Sequence, residues 1–410
     1  MKRSIVAIAT LLLCRASAFG AAPAFELVDG DRVVLIGGTL IERDQSYGYL
    51  ETRLTRRYPD RSITFRNLGW SGDTPEGISQ AGFGSPADGF KHLVEHVLTL
   101  KPTVIILGYG ANESFEGKAG LPKFLQDLDK LLKAIEPTKA RLVFLSPTRQ
   151  EDLGPPLPDP ARHNADLAIY RDALKAEAER RGAVFVDLFD LLPKGDKAAT
   201  WRHLTNNGIH FTPYGYWRES AAIEESLGLT PQQWAVGIHF DKTRGGANYG
   251  GTVGTDARAV PGGFRVQMLD TLLPASRPPD GSPDRPETDR VLKVLALDPG
   301  RYTLKVDGKP VATADAAAWQ KGVVIEKGPE FDQVEALRSA INAKNELYFY
   351  RWRPQNETYL FGFRKHEQGQ NAREIPQFDP LVAAKEAEIA KLRKPVPHVY
   401  ELIREGEVGR

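Results

Sequence analysis

Four short segments carry the side chains able to do chemistry. Gly37-Gly38-Thr39-Leu40 places a hydroxyl just after an apolar run, and Asn67-Leu68-Gly69-Trp70-Ser71-Gly72-Asp73-Thr74 follows a second such run. Gly108-Tyr109-Gly110-Ala111-Asn112-Glu113 follows a third, and Asn207-Gly208-Ile209-His210-Phe211-Thr212-Pro213 precedes a helical stretch. Together they supply an alcohol at Thr39, a backbone N–H at Gly72, an amide donor at Asn112, and His210 with Asn207 three positions before it. An alcohol, an imidazole with an orienting partner, and convergent donors are the parts of acyl transfer: nucleophile, base and oxyanion hole. Each residue also has a structural reading. Thr39 can satisfy a turn, Gly72 can permit one, and Asn112 can brace its loop. His210 can brace the helix that follows, and Asn207-Gly208 can be simple turn chemistry.

For these segments to meet, the elements between them must form a sheet whose strand ends share one edge. Val33–Gly37, Ile63–Leu68, Thr103–Leu107, Arg141–Leu145 and Ala183–Asp187 read as short apolar strands. Helical spacing occupies Tyr47–Tyr58, Asp88–Leu100, Leu121–Ile135, a stretch from Pro160 to about Arg181 ended by Gly182, and Tyr214–Leu227. Strands of this kind alternating with helices predict a parallel sheet covered on both faces. Ligands of such sheets gather where the strands' carboxyl ends open onto loops, and the chemistry-bearing segments lie at these ends.

The order and spacing of the four segments, over about residues 31 to 228, resemble the SGNH (GDSL-like) hydrolase superfamily. The resemblance implies a three-layer α/β/α parallel sheet of the SGNH-hydrolase or flavodoxin-like kind. It assigns the catalytic positions to Thr39, His210 and Asn207, and the oxyanion hole to Thr39, Gly72 and Asn112. The sequence departs from the family pattern at both ends of the catalytic set. Thr39 stands where the family has Ser, Gly38 where it has the preceding Asp, and Asn207 where it has the Asp that orients His. A Thr hydroxyl can attack a carbonyl, but its extra methyl restricts χ1 and crowds the approach. Asn can accept the imidazole Nδ1–H through its carbonyl, yet brings no negative charge; in serine proteases the Asp-to-Asn change costs about four powers of ten in turnover.

Other candidates are weaker. Ser71-Gly72-Asp73-Thr74 imitates a Gly-Asp-hydroxyl motif but belongs to the second segment, so Ser71 and Thr74 are set aside as nucleophiles. His92 and His96 have metal-binding spacing on a helix but lack the Glu of His-Glu-x-x-His, and neighbouring Lys91 and Glu95 indicate a solvated face. Arg149 and Gln150 read as rim scaffolding, and Glu42 and Arg43 as a local ion pair. Trp70, Phe83 and Tyr214 read as core packing, with pocket walls as the alternative. No metal and no cofactor is expected.

With 410 residues, 41% of them hydrophobic, the chain can bury a core larger than one small domain. Its net charge of +1 gives no footprint for nucleic acid. Lys2 and Arg3, the apolar run Ile5–Leu13 and Ala16-Ser17-Ala18 have the order of a secretory signal peptide, with a retained anchor as the alternative. Cleavage near residue 20 removes the only cysteine, Cys14, and with it disulfides and thiol chemistry. No later segment is long enough to span a membrane. The expected domains are a signal peptide at 1–20, the α/β domain at 25–230, a β-rich insert at 232–330, and a C-terminal section at 331–410 that packs on the α/β domain. Arg301–Val306, Asp307-Gly308 and Val311–Thr313 should form a hairpin, and Pro274–Pro286 a loop. Within the C-terminal section, helices are expected at Phe331–Tyr350 and Leu381–Lys394, flanking a polar-aromatic loop from Arg353 to Phe378. That loop resembles a segment of exported SGNH-like proteins from planctomycete-type bacteria.

Three functional readings follow. The first is an exported hydrolase acting on small-molecule or glycan esters, with carbohydrate O-acetyl groups implied by family tendency. The second is a binding or scaffold protein that keeps the fold without the reaction. The third, a metal-dependent hydrolase, lacks a convincing ligand set.

Overall fold

The computed structural model describes residues 25–191, 202–229, 231, 233–239, 246–279, 290–367, 369 and 371–406. The signal-peptide segment and residues 280–286 of the Pro-rich loop lie outside the described residues. The first part of the chain runs β1 (Arg32–Gly37), α1 (Thr39–Asp44), α2 (Tyr49–Arg57), β2 (Thr64–Asn67), α3 (Pro86–Leu100), β3 (Val104–Gly108), α4 (Gly117–Ile135), β4 (Arg141–Leu145), α5 (Ala161–Arg181), β5 (Val184–Val186), α6 (Leu188–Leu191) and α7 (Pro213–Ser226). All five strands are parallel, in the order β2-β1-β3-β4-β5.

The period of two along β1 divides the core. Val33 and Leu35 face a cluster that includes Leu50, Leu54, Trp217 and Ile223. Val34 and Ile36 face the opposite cluster, with Leu93, Leu128, Leu131 and Tyr170. The strand is buried on both faces, which is why it reads as an unbroken apolar run. Helix α3 begins two residues before the expected Asp88. Ser85 and Asp88 form a reciprocal cap, and Pro86 occupies the first turn, where no N–H is needed.

The second part runs β6 (Ala235–His239), β7 (Gly246–Gly250), β8 (Thr252–Val260), β9 (Gly263–Asp270), β10 (Val291–Leu295), β11 (Arg301–Val306), β12 (Lys309–Asp315), α8 (Ala316–Lys321), β13 (Val323–Val324), α9 (Pro329–Trp352), α10 (Glu357–Leu360), α11 (Phe378–Leu392) and β14 (His398–Arg404). Two sheets, β13-β10-β6-β7 and β12-β11-β14-β9-β8, share a core built on Trp234, Val266, Val294, Leu304, Trp319 and Tyr400. The expected hairpin is β11–β12, turning at Asp307-Gly308 with both residues at positive φ. Strand β14 has no counterpart in the sequence reading; it lies between β11 and β9. The expected loop 353–378 contains α10 and a 3-10 turn at Asn371–Gln377.

Helix α9 lies against α2 and β2. Buried Lys344 donates to both oxygens of Glu51, at 2.7 and 2.8 Å, and to the Phe65 carbonyl at 3.1 Å. No helix among the described residues is long and apolar enough to cross a membrane.

Candidate active site

Glycines bring α1 onto the end of the sheet. Gly37 and Gly108 are paired across β1 and β3. A side chain on Gly37 would run into the Gly108 carbonyl, and one on Gly69 into the backbone of Glu42. This floor lets α1 start immediately after β1, with Thr39 as its first residue and its N–H free of intrahelical acceptors. Thr39, Asn112 and His210 line one pocket at the carboxyl edge of the sheet, together with Arg43, Asp73, Glu113, Phe115, Arg149, Gln150, His163 and Ile209.

Gly72 adopts φ +76° and aims its N–H at the Thr39 hydroxyl, 3.4 Å away. The Asn112 amide donates to the Gly72 carbonyl at 2.5 Å, leaving a second amide hydrogen for a ligand. The alcohol and the two side donors therefore meet as expected. His210 shares the pocket but makes no hydrogen bond with Thr39 among the described residues.

Asn207 does not hold the imidazole in the expected way. Its carbonyl oxygen accepts the backbone N–H groups of Ile209 and His210, at 3.1 and 2.8 Å. Two N–H donors can only face an oxygen, so the amide nitrogen is the atom 3.2 Å from His210 Nδ1. That nitrogen donates, which makes Nδ1 the acceptor and leaves the ring proton on Nε2. Burial lowers the pKa of His210, and Arg43 lowers it further. The resting ring is neutral and presents an N–H.

Several residues that shape the site were not assigned a role from sequence. Glu151 accepts the N–H groups of Leu204 and Thr205 and the Thr205 hydroxyl, while its own N–H donates to the Gly208 carbonyl. It thereby fixes the loop that carries Asn207 and His210. Its place just after Arg149-Gln150 was the available signal. Glu113 accepts the Gly110 N–H with Oε2, while Oε1 is buried without a partner; burial pushes its pKa up to about 7. Burial likewise pushes Asp73 up to about 6, despite bonds from Gln80 and Ser79. Phe115 stacks on His163 with ring centres 4.0 Å apart.

The remaining candidates resolve individually. Ser71 and Thr74 do not line the pocket. Glu42 pairs with Arg353 at 2.7 Å rather than with Arg43, and also accepts the Ser71 N–H. Arg353 in turn lies 3.5 Å over the Trp70 ring, so the end of α9 straps the loop that carries Gly72. Arg149 lines the pocket and is paired with Asp190 at 3.1 Å; Gln150 is tied to Asn164. Tyr214 is in the core, but Phe83 is 87% exposed, against Phe363. His92 and His96 bond to the carbonyl and side chain of Gln80. Among the described residues, no three His, Cys, Asp or Glu side chains are grouped to hold a metal.

The profile of the GDSL-like lipase/acylhydrolase family matches residues 33–218. That stretch is similar to the family over 186 of the 410 residues. The matched stretch ends within α7, and β6 to β14 lie beyond it. No curated protein matches the chain. Among solved structures, a gut microbial diltiazem-metabolizing enzyme aligns with 94% of this chain and 100% of its own, at 16% identity and TM-score 0.71. That likeness is one of fold, and it extends past the matched stretch into the β sheets and C-terminal helices. An α/β hydrolase from the metagenome of Lake Arreo, Spain, aligns with 50% of this chain and 97% of its own, at 22% identity and TM-score 0.38. A catalytic mutant of an acetylxylan esterase from Geobacillus stearothermophilus aligns with 49% and 96%, at 18% identity and TM-score 0.39.

Proposed function

We propose that this protein is an exported acyl-ester hydrolase of modest turnover, acting in the pocket that holds Thr39 and His210. The observation that carries this reading is the meeting of the Thr39 hydroxyl, the Gly72 N–H, the Asn112 amide and His210 at one edge of the sheet. In the reaction the Thr39 oxygen adds to the ester carbonyl and His210 takes the hydroxyl proton. The Thr39 and Gly72 N–H groups and the Asn112 amide receive the oxyanion. The alcohol leaves with the proton from His210, and water, activated by the same ring, releases the acid from Thr39. To act as base the ring must first move its proton from Nε2 to Nδ1, giving up the Asn207 contact at a cost of about 1 kcal/mol. The methyl of Thr39 and the missing carboxylate at 207 slow the reaction further. Export rests on the basic, apolar and Ala-Ser-Ala order of residues 2–18. Carbohydrate O-acetyl esters rest on the family resemblance.

The test is hydrolysis of 4-nitrophenyl acetate by the purified protein beside His210→Ala. The variant is expected to lose the activity; equal rates would reject the reading. One observation favours a second reading, a ligand-binding protein: the Asn207 amide turns the only neutral base among the catalytic positions into a donor. Retention of a glycan on an array, with no turnover of its esters, would select that reading.

A further inference from the structure

Helix α1 places Thr39 and Arg43 four residues apart, hence on one face, and both line the pocket. The Nε of Arg43 is buried without a hydrogen-bond partner, and no carboxylate among the described residues pairs with its guanidinium. The acids around it are bonded elsewhere or have their pKa raised to about 7 by burial. Glu42 holds Arg353 and the Ser71 N–H. Asp44 is buried, and desolvation, with Glu51 beside it, raises its pKa to about 7. Both oxygens of Asp73 are bonded, to the Ser79 N–H and the Gln80 amide. Glu113 accepts the Gly110 N–H. The pocket's other guanidinium, Arg149, already has Asp190 and the Phe189 carbonyl. Arg43 is therefore the unneutralised cation of the reacting pocket, and its charge is felt at His210. A partly buried guanidinium without a counter-charge is costly to maintain, and its planar fork matches a carboxylate.

We propose that the pocket selects esters bearing a carboxylate near the scissile bond, with Arg43 as the residue that recognises that carboxylate. This specificity rests on the hydrolase reading above. An ester of a hydroxy acid or of a sugar acid has the required chemistry. Its carboxylate, seated on Arg43, offsets the cation beside His210 and so favours the protonated ring formed when Thr39 attacks. The substrate thereby supplies part of the negative charge that Asn207 lacks.

The experiment compares the three acetoxybenzoate isomers with the corresponding acetoxybenzamides, which share the acetyl group and ring but not the charge. kcat/KM is measured for each pair, and binding of the product pairs, hydroxybenzoate against hydroxybenzamide, by calorimetry. Wild type is expected to prefer at least one carboxylate member by about tenfold or more in both readouts, with the preference falling as salt rises. Arg43→Gln erases the preference, and Arg43→Lys keeps part of it. Equal binding of charged and neutral members by wild type, or an unchanged preference in a folded Arg43→Gln protein, overturns the proposal. Turnover without charge preference removes the carboxylate site and leaves the hydrolase reading. Charge-selective, Arg43-dependent binding without turnover of any ester does the reverse.

Discussion

Replacing Asn207 by Asp exchanges one amide nitrogen for an oxygen and reverses the direction of a single hydrogen bond. One carboxylate oxygen keeps the Ile209 and His210 N–H groups, and the other stands where the amide nitrogen now lies, 3.2 Å from His210 Nδ1. It must accept, so the ring proton moves to Nδ1 and Nε2 becomes free to take a proton. Two gains add. Removing the tautomer penalty is worth about 1 kcal/mol. A charge beside the imidazolium is worth up to about 4 kcal/mol at an effective dielectric near 20, reduced to roughly 1–2 because residue 207 is solvent-exposed. The sum, about 2–3 kcal/mol, corresponds to a gain of roughly 30- to 150-fold in kcat/KM, below the about 10⁴ seen when the reverse change is made in a buried protease triad. The assay is kcat/KM for 4-nitrophenyl acetate in wild type, Asn207→Asp, His210→Ala and the double variant. The acid limb of the pH–rate profile should also move upward, because the new carboxylate raises the pKa of His210. An Asn207→Asp protein no faster than wild type, or a gain that survives in the His210→Ala background, would refute the reasoning.

Thr39→Ala should abolish hydrolysis and Thr39→Ser should raise kcat, since Ser keeps the hydroxyl without the methyl; steady-state kinetics on the same ester decide it. Gly72→Ala forces a side chain onto φ +76°, a strain of about 1–2 kcal/mol, and should lower kcat more than it raises KM by tilting the N–H away from Thr39. Glu113 holds its proton from an ordinary 4.5 up to about 7 in the folded state. Its contribution is therefore intact below the unfolded value and lost as pH rises through the folded one: urea unfolding should show about 2 kcal/mol lost between roughly pH 5.5 and pH 8, a slope that Glu113→Gln removes. Lys344→Met strips buried Glu51 of its ammonium partner, and should cost about 3–5 kcal/mol in urea unfolding, with Glu51→Gln added to it restoring part.

The α/β layer was legible because its strands are buried on both faces and read as unbroken apolar runs, with each helix bounded by its own cap or glycine. The site was legible at the level of which segments meet, since the strand ends of a parallel sheet share an edge. Its hydrogen-bond directions were not. Whether Asn207 offers nitrogen or oxygen to His210 is decided by two backbone N–H groups in its own turn, which no residue type reveals. Partners distant in the chain were equally hidden: Glu42 had Arg43 beside it but pairs with Arg353. Strand β14 was missed because His398–Arg404 alternates polar and apolar residues over a short span after a Pro-rich stretch. Its strandedness comes from the two neighbours it joins. Phe83, a large aromatic, was given to the core although the glycines and serine around it mark an exposed turn.

The place of β14 governs how this chain can be shortened or can fail. A chain stopped after α11, where the helices end, would leave β9 and β11 facing each other across an empty slot, each with a row of unmatched amides. Such rows recruit other copies of the same chain. The slot is filled by pairing Val399 with Gln267 and Tyr400 with Val306, contacts of long loop closure that form late and slowly. Aggregation during refolding is therefore expected to start at this gap, and a peptide spanning 398–404 supplied in trans should suppress it.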